Sequence, residues 1–501
     1  MIEIQRHAKV IRGGRVLVPR EAKPLAADIL VLGDTIAEIG APGMDAPPDA
    51  QIVSAEDRLL IPGLVNAHTH SHFTLAKGLA GAWTLEMLIH AGAWTGGSRT
   101  QDDMHLGSLL GAVEMVKKGC TACYDMVLQL PVPTAEGIAN VARGYADVGM
   151  RAVVAPAIAD RTFWASIPGL LDAIPESLRG AVAKAVAAPA DEMLAHCREL
   201  LRHWPHDRTM IRPALAPSIP LLCSEAFMTG AAHLAREFGV GLHTHLAESK
   251  VQAVAAQRRY GRSLAAHLEA QGFLGPDCVT AHAIWLDDDD IRRLADSGTS
   301  VAHNPGSNMR LGNGNARTRA MVDAGVNVGV GTDTSSCSDQ LNMFEAMRLA
   351  AIVPRIETPD FERWFDAEDA LRMATVNSAR ALGFERIGRL EAGYKADIVF
   401  LDLTHVNYLP LNVAATQVVH CENGAAVDSV MIGGRLVLDH GAFTTIDYRA
   451  LVARASEAAQ RLAEANAPRR AEMDPLGTIV GRFCVGLAQA PHHVHRYVGR
   501  D

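Results

Sequence analysis

Five short stretches carry side chains able to bind a metal or move a proton. They are Pro62-Gly63-Leu64-Val65-Asn66-Ala67-His68-Thr69-His70, His243-Thr244-His245-Leu246-Ala247-Glu248, Thr280-Ala281-His282-Ala283, Ala302-His303-Asn304-Pro305-Gly306-Ser307-Asn308 and Gly331-Thr332-Asp333. Residues two apart on a strand face the same side, so His68 and His70 form a chelating pair, as do His243 and His245. His70-Ser71-His72 and His493-Val494-His495 share the spacing, and the last reads as a solvated accident. For any one such residue a packed or hydrogen-bonded core position is the commoner role. Five in succession, each at the end of an apolar run, are poorly explained that way. Imidazole with carboxylate suits Zn or Fe(II) better than Mg or Ca.

Such a set needs a scaffold that brings strand ends together. Apolar runs rich in Val, Ile and Ala occur near residues 59–70, 120–126, 151–159, 211–218, 239–248, 278–286, 300–308 and 327–333. They read as strands buried on both faces. Helical spacing falls between them, at 101–118, 224–238, 251–271 and 287–296. The last opens with four aspartates, which suit a helix N-terminus. Eight strands alternating with helices predict an α/β fold, a (β/α)8 TIM barrel over 59–387 with its site at the C-terminal strand ends. No Gly-x-Gly-x-x-Gly follows the first strand, which argues against a dinucleotide fold. The flanks, 1–58 and 388–445, show short β patterns with glycine turns, such as the hairpin around Gly33-Asp34. They are expected to form one small β-sandwich built from both chain ends. The extension 446–501 holds an Ala-rich helical stretch, 448–467. Beyond it periodicity fades, and the tail is expected to wrap the surface or meet another subunit.

The ordered motifs resemble the amidohydrolase superfamily. The closer likeness is to its branch of cytosine-deaminase-like, S-adenosylhomocysteine-deaminase-like and triazine-hydrolase-like enzymes. Ala374-Thr375-Val376-Asn377-Ser378-Ala379-Arg380-Ala381-Leu382-Gly383 resembles that family's helix after the eighth strand, and Gly388–Val399 its return to the β-sandwich. The resemblance spans about 25–440 and implies that His68, His70, His245 and Asp333 bind one divalent metal, Zn2+ or Fe2+. It implies that the metal draws hydroxide from water, that Asp333 takes the proton, and that Glu248 protonates a ring nitrogen of a small heterocyclic substrate. His282 would hydrogen-bond the hydroxide or the developing tetrahedral centre. His243 faces the same side as His245 a step deeper, as a supporting or core residue.

The expected reaction is deamination of a purine, pyrimidine, pterin or triazine type of ring. The same site could instead expel chloride or an alkylamine from a triazine, and a non-catalytic relative with an assembly role is the reading of another class. Binuclear members bridge two metals with a lysine at the end of the fourth strand. Here 211–218 has none, and Lys184 is the sole lysine between 119 and 249, so one metal is expected. Two departures stand out. Ser218 occupies a position where many relatives have His, which weakens an adenosine or homocysteine-type assignment, and Ser378 replaces the usual Gly. Substrate contacts are sought at His303 and Asn308, at Trp83 and Trp94 in the long connection 73–100, and at Arg161. The tryptophans could equally form a buried lid or subunit contact, and Arg161 a surface ion pair.

Composition limits the partners. The 501 residues are 49% hydrophobic with a net charge of −9, and no basic track points to nucleic acid or an acidic membrane surface. Apolar runs break before the ~18 residues of a membrane span, and Met1–Arg6 carries charge where a secretory signal needs an apolar run. Eight scattered cysteines suit a reducing compartment, so a cytoplasmic homo-oligomer is expected. Cys120-x-x-Cys123 reads as part of a buried strand.

Overall fold

The computed structural model describes residues 8–129, 132–337 and 340–497. Met1–Arg6, read above for a leader, lies outside them. Eight strands form one parallel sheet: Leu64–Thr69, Cys120–Val127, Arg151–Ile158, Ile211–Pro217, Gly241–Leu246, Cys278–His282, Ser300–His303 and Val328–Val330. Its two edges meet. Thr69 bridges Asp333 in parallel, and the amides of Thr332 and Asp333 donate to the His68 carbonyl at 3.2 and 3.0 Å. The sheet is thereby a closed barrel, as the alternating pattern predicts. Its interior is filled by small and branched side chains, among them Val65, Ala67, Ala155, Ala214 and Val279.

The first predicted run is in fact two strands. Arg58–Pro62 belongs to a different sheet, and only Leu64–Thr69 enters the barrel. Gly63 makes the switch, because a Cβ there would lie 2.1 Å from Thr121 Oγ1. Arg58–Pro62 joins the chain ends: it pairs parallel to Ala8–Val16 and antiparallel to Ile398–Asp402. The result is one nine-stranded mixed sheet from both flanks, closed around its own apolar core of Ile11, Ile29, Leu60, Ile398 and Phe400. A buried ion pair, Arg151 Nε to Asp397 Oδ2 at 2.8 Å, ties this sheet to the barrel.

The outer helices follow their sequence signals. Asp287 and Asp290 form a reciprocal cap on the helix Asp288–Ser297. The stretch 251–271 is split into Lys250–Tyr260 and Leu264–Ala270 by Gly261 in the left-handed region and the Ser263 cap. Two expectations are corrected. The connection 73–100 is not an open loop: it holds the helix Leu85–Thr95. The C-terminal helix does not fade after 467 but runs from Tyr448 to Ala488, through Pro468 and Pro475. Each proline removes one backbone bond, and packing replaces it: Met473, Leu476, Val480, Cys484 and Leu487 are buried against Trp94 and Trp164. Among the described residues no helix is long and apolar enough to cross a membrane.

Candidate metal centre

The strand ends bring His68, His70, His245, His282 and Asp333 into one cluster, with Glu248 at its edge. Nitrogen and oxygen atoms of His68, His70 and His245, of His68, His282 and Asp333, and of His245, Glu248 and His282 lie within 4.8 Å of one another in each set. His68 Nε2 is 3.6 Å from Asp333 Oδ1, and His70 Nε2 is 3.5 Å from the same oxygen. Backbone geometry is spent to achieve this. His282 (φ 69°), Asp333 (φ 58°) and Ala247 (φ 46°) are left-handed non-glycine residues at strand ends, a conformation that costs about 1–2 kcal/mol each. Gly331 makes room beside Asp333, since a Cβ there would lie 2.9 Å from the His68 amide and 2.3 Å from Asn304 Oδ1.

The protons can be placed. His70 Nδ1 lies 2.7 Å from the Met126 carbonyl and His245 Nδ1 2.7 Å from that of Ser218. A carbonyl only accepts, so each Nδ1 carries the hydrogen and each Nε2 presents a lone pair. Those two Nε2 atoms face each other at 3.2 Å. Burial, then neighbouring imidazole charge, holds His245 well below the ordinary histidine range, and burial brings His68 to about 4. His245 therefore does not take up a proton at neutral pH to relieve its contact with His70. A cation shared between the lone pairs does. Tetrahedral Zn2+ with bonds of about 2.0–2.1 Å sets its nitrogens roughly 3.3 Å apart. His68 Nε2 and His282 Nε2 are also buried without a partner. The donor set therefore fits a divalent metal.

The surrounding residues fix this set. His68 Nδ1 meets His243 Nε2 at 3.2 Å, so His243 supports a cluster residue from one layer below. Asp333 accepts from Ser307 Oγ at 2.6 Å, the Thr334 amide at 2.8 Å and Cys337 Sγ at 3.3 Å. Burial alone would raise its carboxyl; the close approach of His68 and the charges of His282, His68 and His70 hold it well below the usual range. Glu248 goes the other way. Burial, then the charges of Asp333 and Glu86, push it well above the ordinary value, against one bond from Asn313. Its Oε1 accepts from Asn313 Nδ2 at 3.1 Å and lies 3.7 Å from His282 Nε2, while Oε2 is buried and unpartnered.

The residues sought for substrate fall in different places. Asn308 Oδ1 is 2.8 Å from His282 Nδ1, so it orients His282. His303 is buried with both ring nitrogens unpartnered, and burial lowers it to about 3. Trp83 and Trp94 stand edge to face at 6.0 Å in the cluster that seats the C-terminal helix, with Arg470 over Trp94 at 4.8 Å. Their apolar bulk packs against the C-terminal helix, and their ring contacts are with neither the clustered histidines nor Asp333. Arg161 donates to the Cys223 carbonyl at 3.3 Å and is not drawn into the cluster. The Cys120 and Cys123 thiols are buried in their strand. Ser378 earns its departure: its Oγ accepts from the Val330 amide at 3.1 Å and donates to the Met373 carbonyl at 2.7 Å, pinning the last strand.

Sequence reasoning misses Glu86, Gln252, Asn313 and Arg496. Glu86, on the helix Leu85–Thr95, is buried and accepts from Ser249 Oγ at 2.7 Å. Gln252 Oε1 accepts from the Glu248 amide at 3.0 Å. Trp285 Nε1 donates to the Asn313 carbonyl at 2.8 Å. Arg496, from the C-terminal tail, donates through Nε to the Ile284 carbonyl at 3.0 Å and through a second nitrogen to that of Leu286, and its own carbonyl accepts from the Asn315 amide at 3.0 Å. The tail thus straps the loop that carries Asn313. His493, read as an accident of the tail, bonds Asp287 Oδ2 at 2.9 Å. None of these has a motif: apart from Gln252, which meets the amide four residues before it, each acts through a bond between segments far apart in the chain.

A closed parallel barrel with imidazoles and a carboxylate at its strand ends is the arrangement of a metal-dependent hydrolase. Residues 59–437 match the amidohydrolase family, and the chain belongs to it. A 5-methylthioadenosine/S-adenosylhomocysteine deaminase of Thermococcus onnurineus is 31% identical over 436 residues, 87% of this chain and 95% of that one. The crystal structure of an adenosine deaminase from Xanthomonas campestris with bound zinc superposes with a TM-score of 0.79 at 29% identity, covering 91% of this chain and 98% of that one. That of atrazine chlorohydrolase from Arthrobacter aurescens complexed with zinc gives 0.79 at 26% identity, covering 90% and 99%. The protein is a hydrolase acting on carbon–nitrogen bonds other than peptide bonds, in cyclic amidines.

Proposed function

We propose that the protein is a cytoplasmic, mononuclear aminohydrolase that exchanges the exocyclic amino group of a nitrogen heterocycle for oxygen, consuming water and releasing ammonia. His68, His70, His245 and Asp333 would hold the ion, and the zinc in the adenosine deaminase and chlorohydrolase structures favours Zn2+ over Fe2+. When bound, that ion makes water nucleophilic near neutral pH. Asp333, kept ionised, accepts a proton from the attacking water. Glu248 keeps its proton and delivers it to the ring nitrogen beside the carbon under attack. His282, fixed by Asn308, faces the carbon that becomes tetrahedral. Asp333 then passes its proton to the departing amine. His303 is the remaining candidate to contact the ring. Assembly as a homo-oligomer belongs to the same proposal.

The observation that carries this reading is Glu248, a buried carboxyl held by Asn313 and raised in pKa, 3.7 Å from His282 at the edge of the cluster. Proton donation to a ring nitrogen needs such a group. The adenosine-type names of the relatives put purines first among substrates, while Ser218 remains the departure from the resemblance that weakens an adenosine or homocysteine-type assignment. Metal analysis with ammonia release across purines, pyrimidines, pterins and triazines tests the proposal. About one metal per chain and ammonia from an amino-heterocycle are expected. Release of chloride or alkylamine from a triazine, with no ammonia from any member of the panel, would overturn it in favour of the rival leaving group.

A further inference from the structure

The base of the barrel, opposite the metal centre, holds a second polar cavity of about 430 Å³. Arg208, Arg212 and Arg380 line it, with Asp277 the one carboxylate in its wall and Tyr124 at its inner end. Arg212 is half-buried and fixed: Nε donates to the Arg208 carbonyl at 3.0 Å, another nitrogen to the Gly383 carbonyl, and the guanidinium lies 4.4 Å over the Phe384 ring. Among the described residues the Arg208 and Arg380 side chains have no hydrogen bond or ion pair. Glu385 offsets part of the Arg212 charge, while Arg208 and Arg151 oppose it.

Tyr124 provides the independent sign of a ligand. It is 1% exposed and its hydroxyl has no partner, an arrangement that buried hydroxyls avoid. The hydroxyl reaches the cavity because residue 241 is glycine: a Cβ there would lie 3.1 Å from it. Gly241, His243 and His245 alternate down one face of their strand, so the cavity begins where the layers beneath the metal centre end. The Tyr124 ring meets His243 edge-on at 4.4 Å.

We propose that this cavity binds a phosphate group, free or carried by a small metabolite. Guanidinium forks match phosphate oxygens in shape and charge, and three of them exceed the single wall carboxylate. The Tyr124 hydroxyl donates to the inward oxygen. Val153, Val240 and Leu382 give the rest of a carried ligand an apolar wall.

Calorimetric titration of the full-length, metal-loaded protein tests this, with inorganic phosphate and with glycerol 3-phosphate as probes in chloride buffer of constant ionic strength. One saturable site per chain is expected. Arg208 and Arg380 are exposed at the rim, so Arg208→Ala and Arg380→Ala keep the fold, and together they should weaken binding about tenfold or more. Tyr124→Phe should weaken it by about fivefold with metal content unchanged. Tighter binding of the ester assigns the site to a phosphorylated metabolite, and tighter binding of the inorganic ion to free phosphate. Heat no greater than that of the chloride blank overturns the proposal. So does binding that survives both arginine replacements, which would place the anion at the metal.

Discussion

Replacing Glu248 by glutamine separates proton donation from everything else this side chain does. The carboxyl is buried and pushed toward its neutral form, so the amide is nearly isosteric with the species it replaces. Oε1 can still accept from Asn313, and Gln252 Oε1 accepts from the backbone amide of residue 248, which the substitution keeps. The stability change should therefore stay under about 1 kcal/mol. Loss of a positioned acid removes roughly 10²–10⁴ in rate, equivalent to about 2.7–5.4 kcal/mol of transition-state stabilisation. The assay is kcat for ammonia release on the best substrate, beside metal content and a melting curve. Wild-type activity should also fall as pH rises through the raised Glu248 value, because only the protonated form donates. The residual rate of the variant should lack that limb. Full activity with metal retained refutes the acid assignment. Loss of metal refutes it differently, by making Glu248 a ligand.

Arg496→Ala releases the strap over Ile284, Leu286 and Asn315 without touching the cluster. kcat should fall about 10–100-fold through misplacement of Asn313 and Glu248, with metal content unchanged; unaltered kcat would show that the tail does not position the acid. Asp28 tests the other sheet. Burial raises its carboxyl, but the Gly43 amide, Arg12 and the Gly13 amide outweigh that and leave it lowered. A depressed folded value means stability that is present above the unfolded pKa and lost as pH falls through the folded one. Asp28→Asn should cost about 1.5–3 kcal/mol in urea melts at pH 7 and progressively less below about pH 4; a cost independent of pH would refute the ionic account.

The barrel was readable because its strands are buried on both faces and its helices carry their own caps, so the runs and the punctuation agree. The metal cluster was readable for a related reason. Ligand types recurred at successive strand ends, and closure of the sheet through Thr69 and Asp333 is what turns that linear order into a ring of converging side chains. The C-terminal helix, expected to end at 467, shows where local signals mislead. Met473, Leu476, Val480, Cys484 and Leu487 are spaced at three and four residues, but polar residues and Pro468 and Pro475 interrupt the pattern, and only burial against Trp94 and Trp164 makes the stripe count.

The same helix shows which of the two roles left open for the tryptophans their packing favours. Trp94 is an aromatic on a connection beside a predicted site, and its sequence neighbourhood cannot distinguish a stacking platform from the seat of a lid. The deciding partners, Leu476 and Val480, lie some 380 residues away. Glu86 and Asn313 are invisible for the reverse reason: each is one polar residue in an unremarkable setting, given meaning only by the side chain it meets. The proposed ligands are thus written in the strands, whereas the proposed control of protons is written in bonds between distant loops. It follows from the proposed roles that substitutions in the helix Leu85–Thr95, the 313 loop and the tail should tune turnover far more than metal affinity, because the side chains they hold, Glu248 foremost, are those proposed to move protons, while His68, His70, His245 and Asp333 rest on the barrel itself.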